Sequence, residues 1–343
     1  MRLRANLAAD GALVGTTLLW GSTFVVAKDI LDYWPAVAYL ALRMSLAASI
    51  LCLLFWKHLR RAGRSEWRAG AILGMLIGVG FVGQTVGLSY TTPSKSAFVT
   101  GLTTPLVPFV ALLLLRVRPS TENLIGVALA SLGGALILAP QDAGGVNTGD
   151  LITLACTVIF AFHITLMSRY AQRQDPRQLT AMQITVAASL IVLAWLAIKL
   201  WVSLFGASAL PPGLARNAGE LVWSGRVLWQ LLYLTVFATI VTFLLWTWGQ
   251  ARMSATHAAI IFSLEPVFAT LFAMAVRGTG EWLGARASVG AAMVLAGVLV
   301  SELRWSDARA IRFRRRRADT SADTPENEDD VEINFAESND ASV

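Results

Sequence analysis

The sequence predicts an all-α membrane protein with ten transmembrane helices, arranged as two inverted five-helix repeats. Three observations carry that expectation. First, 55% of the 343 residues are hydrophobic and only 15% are charged, whereas a soluble domain carries about 25% charged residues. Second, the apolar runs reach about 20 residues, the length needed to cross a hydrocarbon layer. Many show no polar face, which disfavours a soluble amphipathic bundle. Third, one pattern is written twice. SKSAFVTGLTTPLVPFVALLLL from Ser94, a basic break and LIGVALASLGGALIL to Leu138 are answered by ATHAAIIFSLEPVFATLFAMAV from Ala255, a second break and ASVGAAMVLAGVLVS to Ser301. Ala97 and Pro105 align with Ala258 and Pro266, and Gly126 and Gly133 with Gly290 and Gly297. Such repetition precedes any reading of the fold.

Taken in order, the chain opens with Arg2 and Arg4 ahead of an apolar run from Gly11 to Ala27. That arrangement is shared with signal peptides. No small-residue cleavage site follows, however, and TLLWGSTFVVAKD (Thr17 to Asp29) pairs with TVIFAFHITLMSR (Thr157 to Arg169). The run is therefore read as a retained first helix. Spans are expected at 11–29, 37–56, 70–89, 95–115, 122–140, 150–168, 180–204, 228–248, 254–275 and 283–302. Five spans per half force the second half to enter from the opposite side, so the repeats are inverted. The expected organisation is an N-terminal segment 1–10, a first repeat 11–140, a second repeat 150–302 and a tail 303–343.

Orientation follows from the basic residues, which favour the cytoplasmic side. With the N-terminus inside, twenty basic residues fall in inner segments and six in outer ones. Both termini are therefore expected in the cytoplasm, with the protein multi-pass in a bacterial inner membrane. The break from Phe205 to Val227, with Pro211-Pro212-Gly213, reads as an outer loop. After the arginine run Arg314 to Arg317, the segment from Ala318 holds nine acidic residues and no basic one. A tail of that composition cannot bury enough apolar surface to fold alone. The arginines read as a topology anchor that favours anionic lipid headgroups.

Several function classes are disfavoured. Gly78, Gly80 and Gly83 spell GxGxxG, but they lie inside an apolar span with no carboxylate until Glu122, which is not the context of a dinucleotide site. Gly74/Gly78 and Gly83/Gly87 are instead spaced for close helix packing in lipid. Cys52 and Cys156 sit in apolar runs and read as packing thiols. His58, His163 and His257 are too scattered for a metal site. No nucleotide module or hydrolase motif is present. No cofactor, metal or nucleic-acid partner is expected; a small-molecule substrate and membrane lipids are.

Polar groups inside spans are costly and usually serve function. Glu265 lies near the middle of the ninth span, immediately before Pro266. The proline removes a backbone donor and frees a carbonyl one turn earlier, and interrupted helices at mid-membrane are where transporter sites form. Thr104 holds the equivalent place before Pro105. Arg43 is either a cavity-facing cation or a side chain that snorkels to the headgroups; its counterpart is Gln183. Trp20 and its counterpart Phe160 lie mid-span, where an indole N–H needs a partner or a wet cavity. Trp246 and Trp248 read instead as interfacial. His163, near Phe160, reads either as a packing histidine or as an imidazole able to exchange protons near neutral pH. Gln84 and Thr100 complete the candidate substrate-binding set of Trp20, Arg43, Gln84, Thr100, Thr104, Phe160, His163 and Glu265, with Glu265 also the candidate proton-coupling group.

WGSTF at Trp20 to Phe24, Leu42-Arg43, SKSAF at Ser94, mid-helix Pro105, LEP at Leu264 to Pro266 and GEWL at Gly280 to Leu283 together resemble the EamA-type transporters of the drug/metabolite transporter superfamily. The resemblance covers residues 11 to 302. Where the family carries an acidic residue ahead of the last helix, this chain has Glu281 in the second half but Val117 in the first. The resemblance implies a secondary transporter, commonly an exporter of amino acids, metabolites or drugs, working without ATP and not as an enzyme. Two other classes stay open at this point: a membrane enzyme acting on a lipid, and a non-transporting scaffold that recruits partners through its tail.

Overall fold

The computed structural model describes residues 2–138, 146–210, 214–278, 282 and 284–302. The described residues are helical with short connections. The first half comprises α1 (Arg2–Leu31), α2 (Ala36–Leu59), α3 (Arg64–Ser89), α4 (Pro93–Gly101), α5 (Thr103–Leu115) and α6 (Thr121–Leu138). The second comprises α7 (Thr148–Ala171), α8 (Pro176–Phe205), α9 (Gly225–Thr235), a π-helical turn Val236–Val241, α10 (Thr242–Gln250), α11 (Ala255–Phe262), α12 (Glu265–Arg277) and α13 (Gly284–Glu302). Seven helical segments are long and apolar enough to cross a membrane, α4–α5 and α9–α10 each counting as one, and α6 carries a shorter apolar stretch, Leu124–Leu136. Gly280, Glu281 and Leu283 of the GEWL motif, the Pro211-Pro212-Gly213 turn and the charged tail lie outside the described residues.

Helix starts follow local chemistry. Thr92 caps α4 by accepting the Lys95 N–H, with Pro93 in the first turn, where its missing donor costs nothing. Asn147 and Asp150 form a reciprocal capping box on α7. Asp175 and Ser224 cap α8 and α9. The two breaks inside apolar runs have one cause. A proline cannot donate to the carbonyl four residues earlier. For Pro105 that residue is Gly101, where α4 ends; for Pro266 it is Phe262, where α11 ends. The helices restart at Thr103 and Glu265.

Small residues let the helices approach closely. One side of α3 meets α8: a methyl added at Gly74 would stand 2.6 Å from the Gln183 carbonyl, and one at Gly78 would stand 3.2 Å from the Ala187 Cα. Its other side meets α7, with Gly80 against Phe160 and Gly83 against Cys156. The glycines of the GxGxxG match are thus packing positions. Gly133 of α6 lies on Gly290 of α13, and Gly297 of α13 lies on Gly126 of α6. Because position rises on one helix as it falls on the other, the two run in opposite senses. The same holds for α2 and α8, where the Cys52 Sγ is 3.2 Å from Thr185 Oγ1 and the Gln178 amide donates to the His58 carbonyl at 2.6 Å.

Candidate functional site

The two helix breaks face each other across a cavity of about 100 Å³. Thr104 Oγ1, one residue into α5, donates to the Ala259 carbonyl of α11 at 3.0 Å. A methyl at Gly101 would come 2.9 Å from the Pro266 ring. The interrupted segments therefore touch, and the first turns of α5 and α12 open onto the same space.

Seven of the eight sequence-derived candidates line the cavity: Trp20, Arg43, Gln84, Thr100, Thr104, Phe160 and Glu265. They come from α1, α2, α3, α4, α5, α7 and α12, so no one segment builds the site. Glu265 is the first residue of α12 and is half-buried. Its carboxyl has no hydrogen-bond or ion-pair partner among the described residues. The helix N-terminus places a partial positive charge beside it.

Arg43 does not snorkel. It is buried, and its guanidinium fork is spent on neutral oxygens: Nε donates to Thr239 Oγ1 at 2.8 Å, Nη1 to the Tyr39 hydroxyl at 3.0 Å and Nη2 to the Ala238 carbonyl at 3.0 Å. Two of these acceptors belong to the π turn. Widening a helix to π geometry displaces its hydrogen-bond ladder, and Thr239 Oγ1 in turn donates five residues back, to the Leu234 carbonyl at 2.9 Å. The cation is thus held in place while its charge remains uncancelled. It shares the cavity with Glu265 without forming an ion pair with it.

Gln84 Nε2 donates to Thr100 Oγ1 at 3.0 Å, which joins two candidates on α3 and α4. Trp20 stacks edge-on with Trp246 (5.0 Å between ring centroids) and tilts over Phe262 (5.4 Å). Phe81 meets Phe160 at 6.1 Å and lies 6.0 Å from the Arg43 guanidinium. Among the described residues the cavity therefore has an aromatic wall, a hydroxyl and amide wall, one cation and one carboxyl. Such a mixture fits small solutes with an apolar body and a polar head.

His163 is the candidate that the cavity leaves out. It is fully buried behind the wall, stacked on Trp246 at 4.9 Å, with Nε2 3.0 Å from Gln183 Oε1. Trp246 corrects the interfacial reading: it is 3% exposed and lines the cavity. Its N–H donates to Gln250 Oε1, and Gln250 Nε2 donates to the Ile164 carbonyl at 2.8 Å. A buried amide one helical turn away replaces the interfacial water that an indole usually seeks. Phe81, Thr103 and Phe262 also line the cavity unforeseen, although Phe262, four residues before Pro266, is where the helix must stop. Among the described residues no group of three His, Cys, Asp or Glu side chains is placed to hold a metal ion.

Interrupted helices that border a polar and aromatic cavity in a multi-pass helical protein are the site geometry found in membrane transporters. The chain is a member of the EamA-like transporter family, whose model matches residues 7–139 and again 147–303. It is 30% identical to an uncharacterized transporter of Archaeoglobus fulgidus, over 87% of each chain. It is 26% identical to the Bacillus subtilis uncharacterized transporter YyaM, over 84% of this chain and 92% of that one. The Escherichia coli K12 uncharacterized inner membrane transporter YedA is 28% identical over 49% of this chain and 56% of its own. One solved crystal structure shares the fold, with a TM-score of 0.60 at 19% identity, covering 85% of this chain and 96% of that one.

Proposed function

We propose that the protein is a secondary transporter that exports small metabolites, amino acids or drugs by alternating access, with Glu265 exchanging a proton in each cycle. The observation that carries this reading is the unpartnered Glu265 carboxyl at a helix break, opening onto a cavity that both halves of the chain line. Two five-helix repeats, 11–140 and 150–302, would cross the membrane in opposite senses. Support comes from the double family match, from the helix breaks at equivalent residues, and from the opposite sense of α6 and α13. Exchange of the two glycine pairs, Gly126 with Gly290 and Gly133 with Gly297, turns each α6–α13 contact into the other, as a two-fold axis in the membrane plane requires. Rocking of one repeat bundle against the other would expose the cavity to each side in turn. The excess of inner basic residues supports cytoplasmic termini, and the relative YedA is named an inner membrane transporter. The outward direction rests on the family resemblance.

The test is reconstitution of the full chain in liposomes with trapped pyranine, challenged with the amino acids and a panel of lipophilic amines. At least one solute class should drive a proton movement absent from protein-free liposomes. Glu265→Gln should keep solute-dependent thermal stabilisation, since binding to the folded state raises its stability, and lose the proton movement. Unchanged proton-linked flux in Glu265→Gln would overturn the coupling. Failure of every solute to move would count against transport itself.

A further inference from the structure

A second, larger cavity of about 520 Å³ opens at one end of the bundle, where α1, α3 and α12 finish and α4 and α7 begin. Four cations line it: Lys28, Lys95, Arg216 and Arg277. Among the described residues no carboxylate does. Asp150 and Asp32, both described residues, reach these cations from outside the wall. Asp150 Oδ2 is 2.6 Å from Lys95 Nζ, and Asp32 Oδ2 is 3.8 Å from an Arg277 nitrogen. Arg216 is held by neutral groups: it donates to the Ser89 carbonyl at 2.6 Å and faces the Tyr90 ring at 5.8 Å. Lys28 donates to the Leu88 and Ser89 carbonyls at 2.8 and 3.2 Å. Among the described residues the lining brings four cationic groups and no carboxylate to one lumen, and a low-dielectric concave wall focuses the field of such groups.

The placement is selective. In the topology read from the basic residues this end faces outward, and only six basic residues fall in outer segments. Four of those six converge here, on the side where cations are otherwise sparse. The cavity also adjoins the central one. Ala27 and Leu88 line the central cavity, and the next residues, Lys28 and Ser89, line this one. On α1 and on α3 the two linings meet at consecutive residues.

We propose that this vestibule is an oxyanion-binding site at the outer mouth of the pathway, taking a carboxylate or phosphate group. Its place on a pathway rests on the transport reading; its ligand chemistry does not. Arginine forks suit such groups because they offer paired N–H donors. An anionic headgroup of the outer leaflet and a free anionic solute both present this chemistry.

The test measures binding, not flux, so it stands or falls separately from the transport reading. The purified full chain in phosphatidylcholine nanodiscs is melted against inorganic phosphate or succinate, with sodium chloride at matched ionic strength as the reference. We expect saturable stabilisation by the oxyanions. Arg277→Gln and Arg216→Gln should each weaken it about ten-fold. Arg277→Lys should retain more of it than Arg277→Gln, and Arg226→Gln, outside the cavity, should leave it unchanged. In a second arm, phosphatidylglycerol replaces part of the phosphatidylcholine. Stabilisation by that lipid, lost in the same variants, assigns the site to a headgroup; stabilisation by the soluble anions in phosphatidylcholine alone assigns it to a free solute. If neither source exceeds chloride, or if Arg277→Gln and Arg216→Gln respond like the parent chain, the site does not exist. Arg277 is the safer position, because its contact with Asp32 is long, at 3.8 Å.

Discussion

The glycine contacts between α6 and α13 yield a prediction whose size can be worked out. In Gly297→Ala the new methyl would stand 2.5 Å from the Gly126 carbonyl and 2.8 Å from the Ala130 nitrogen. Ordinary van der Waals contact begins near about 3.4 Å, so the helices must part by about 0.9 Å. The obstacle is backbone on the facing helix, which cannot rotate away as a side chain would. Overpacking of this kind costs about 1–3 kcal/mol. Alanine's helix propensity returns up to about 1 kcal/mol, so a mid-range cost of about 2 kcal/mol leaves a net loss of about 1–2 kcal/mol. For a chain of 343 residues that lowers the apparent melting temperature by about 1–3 °C. Gly133→Ala meets the Gly290 carbonyl and the Val294 nitrogen, the latter at 2.9 Å, and should cost a similar amount, because the proposed axis relates the two sites. Gly11→Ala is the control, since nothing lies within 4 Å of its added methyl; it should melt unchanged or slightly higher. Melts of the three variants in one detergent decide the matter. If Gly297→Ala and Gly133→Ala melt no lower than Gly11→Ala, the described packing is wrong. If only one falls, the two-fold relation is wrong.

Two further predictions follow from other regions. Asp150 is fully buried, caps α7, accepts from Thr91 at 2.8 Å and pairs with Lys95 at 2.6 Å. Asp150→Asn removes the carboxylate that closes the α7 capping box and pairs with Lys95, and should destabilise by about 1–3 kcal/mol, seen as a lower melting temperature than that of the parent chain. Deletion of 306–343 should leave solute flux in liposomes largely intact; loss of all flux would favour a tail-dependent scaffold.

Much of the site was legible because its signals are local. Pro105 and Pro266 announce helix breaks by a rule of covalent geometry, and the breaks fall four residues before each. Glu265, Thr104, Trp20 and Arg43 stand out because polar or indole groups inside apolar runs demand a wet or polar setting. The glycines seven apart pair as matched sets across α6 and α13. What escaped depends on neighbours distant in sequence. The π turn at Val236–Val241 carries no proline or glycine; two of its oxygens are partnered by Arg43, some two hundred residues away. Trp246 was misread because its position near a span end suggests the interface, while the spacing to Gln250 was the available clue. His163 lies on the same helix as Phe160, but its side chain turns toward Gln183 rather than the cavity.

The central claim, that both sides of the membrane reach one cavity in turn, is tested most directly by side-specific labelling. Thr100→Cys is made in a chain whose two cysteines, Cys52 and Cys156, are replaced by alanine. Right-side-out and inside-out vesicles are then treated with a membrane-impermeant maleimide. Alternating access predicts labelling of residue 100 in both preparations, slowed in both by a transported solute. Labelling from one face alone under every condition, or from neither, contradicts it.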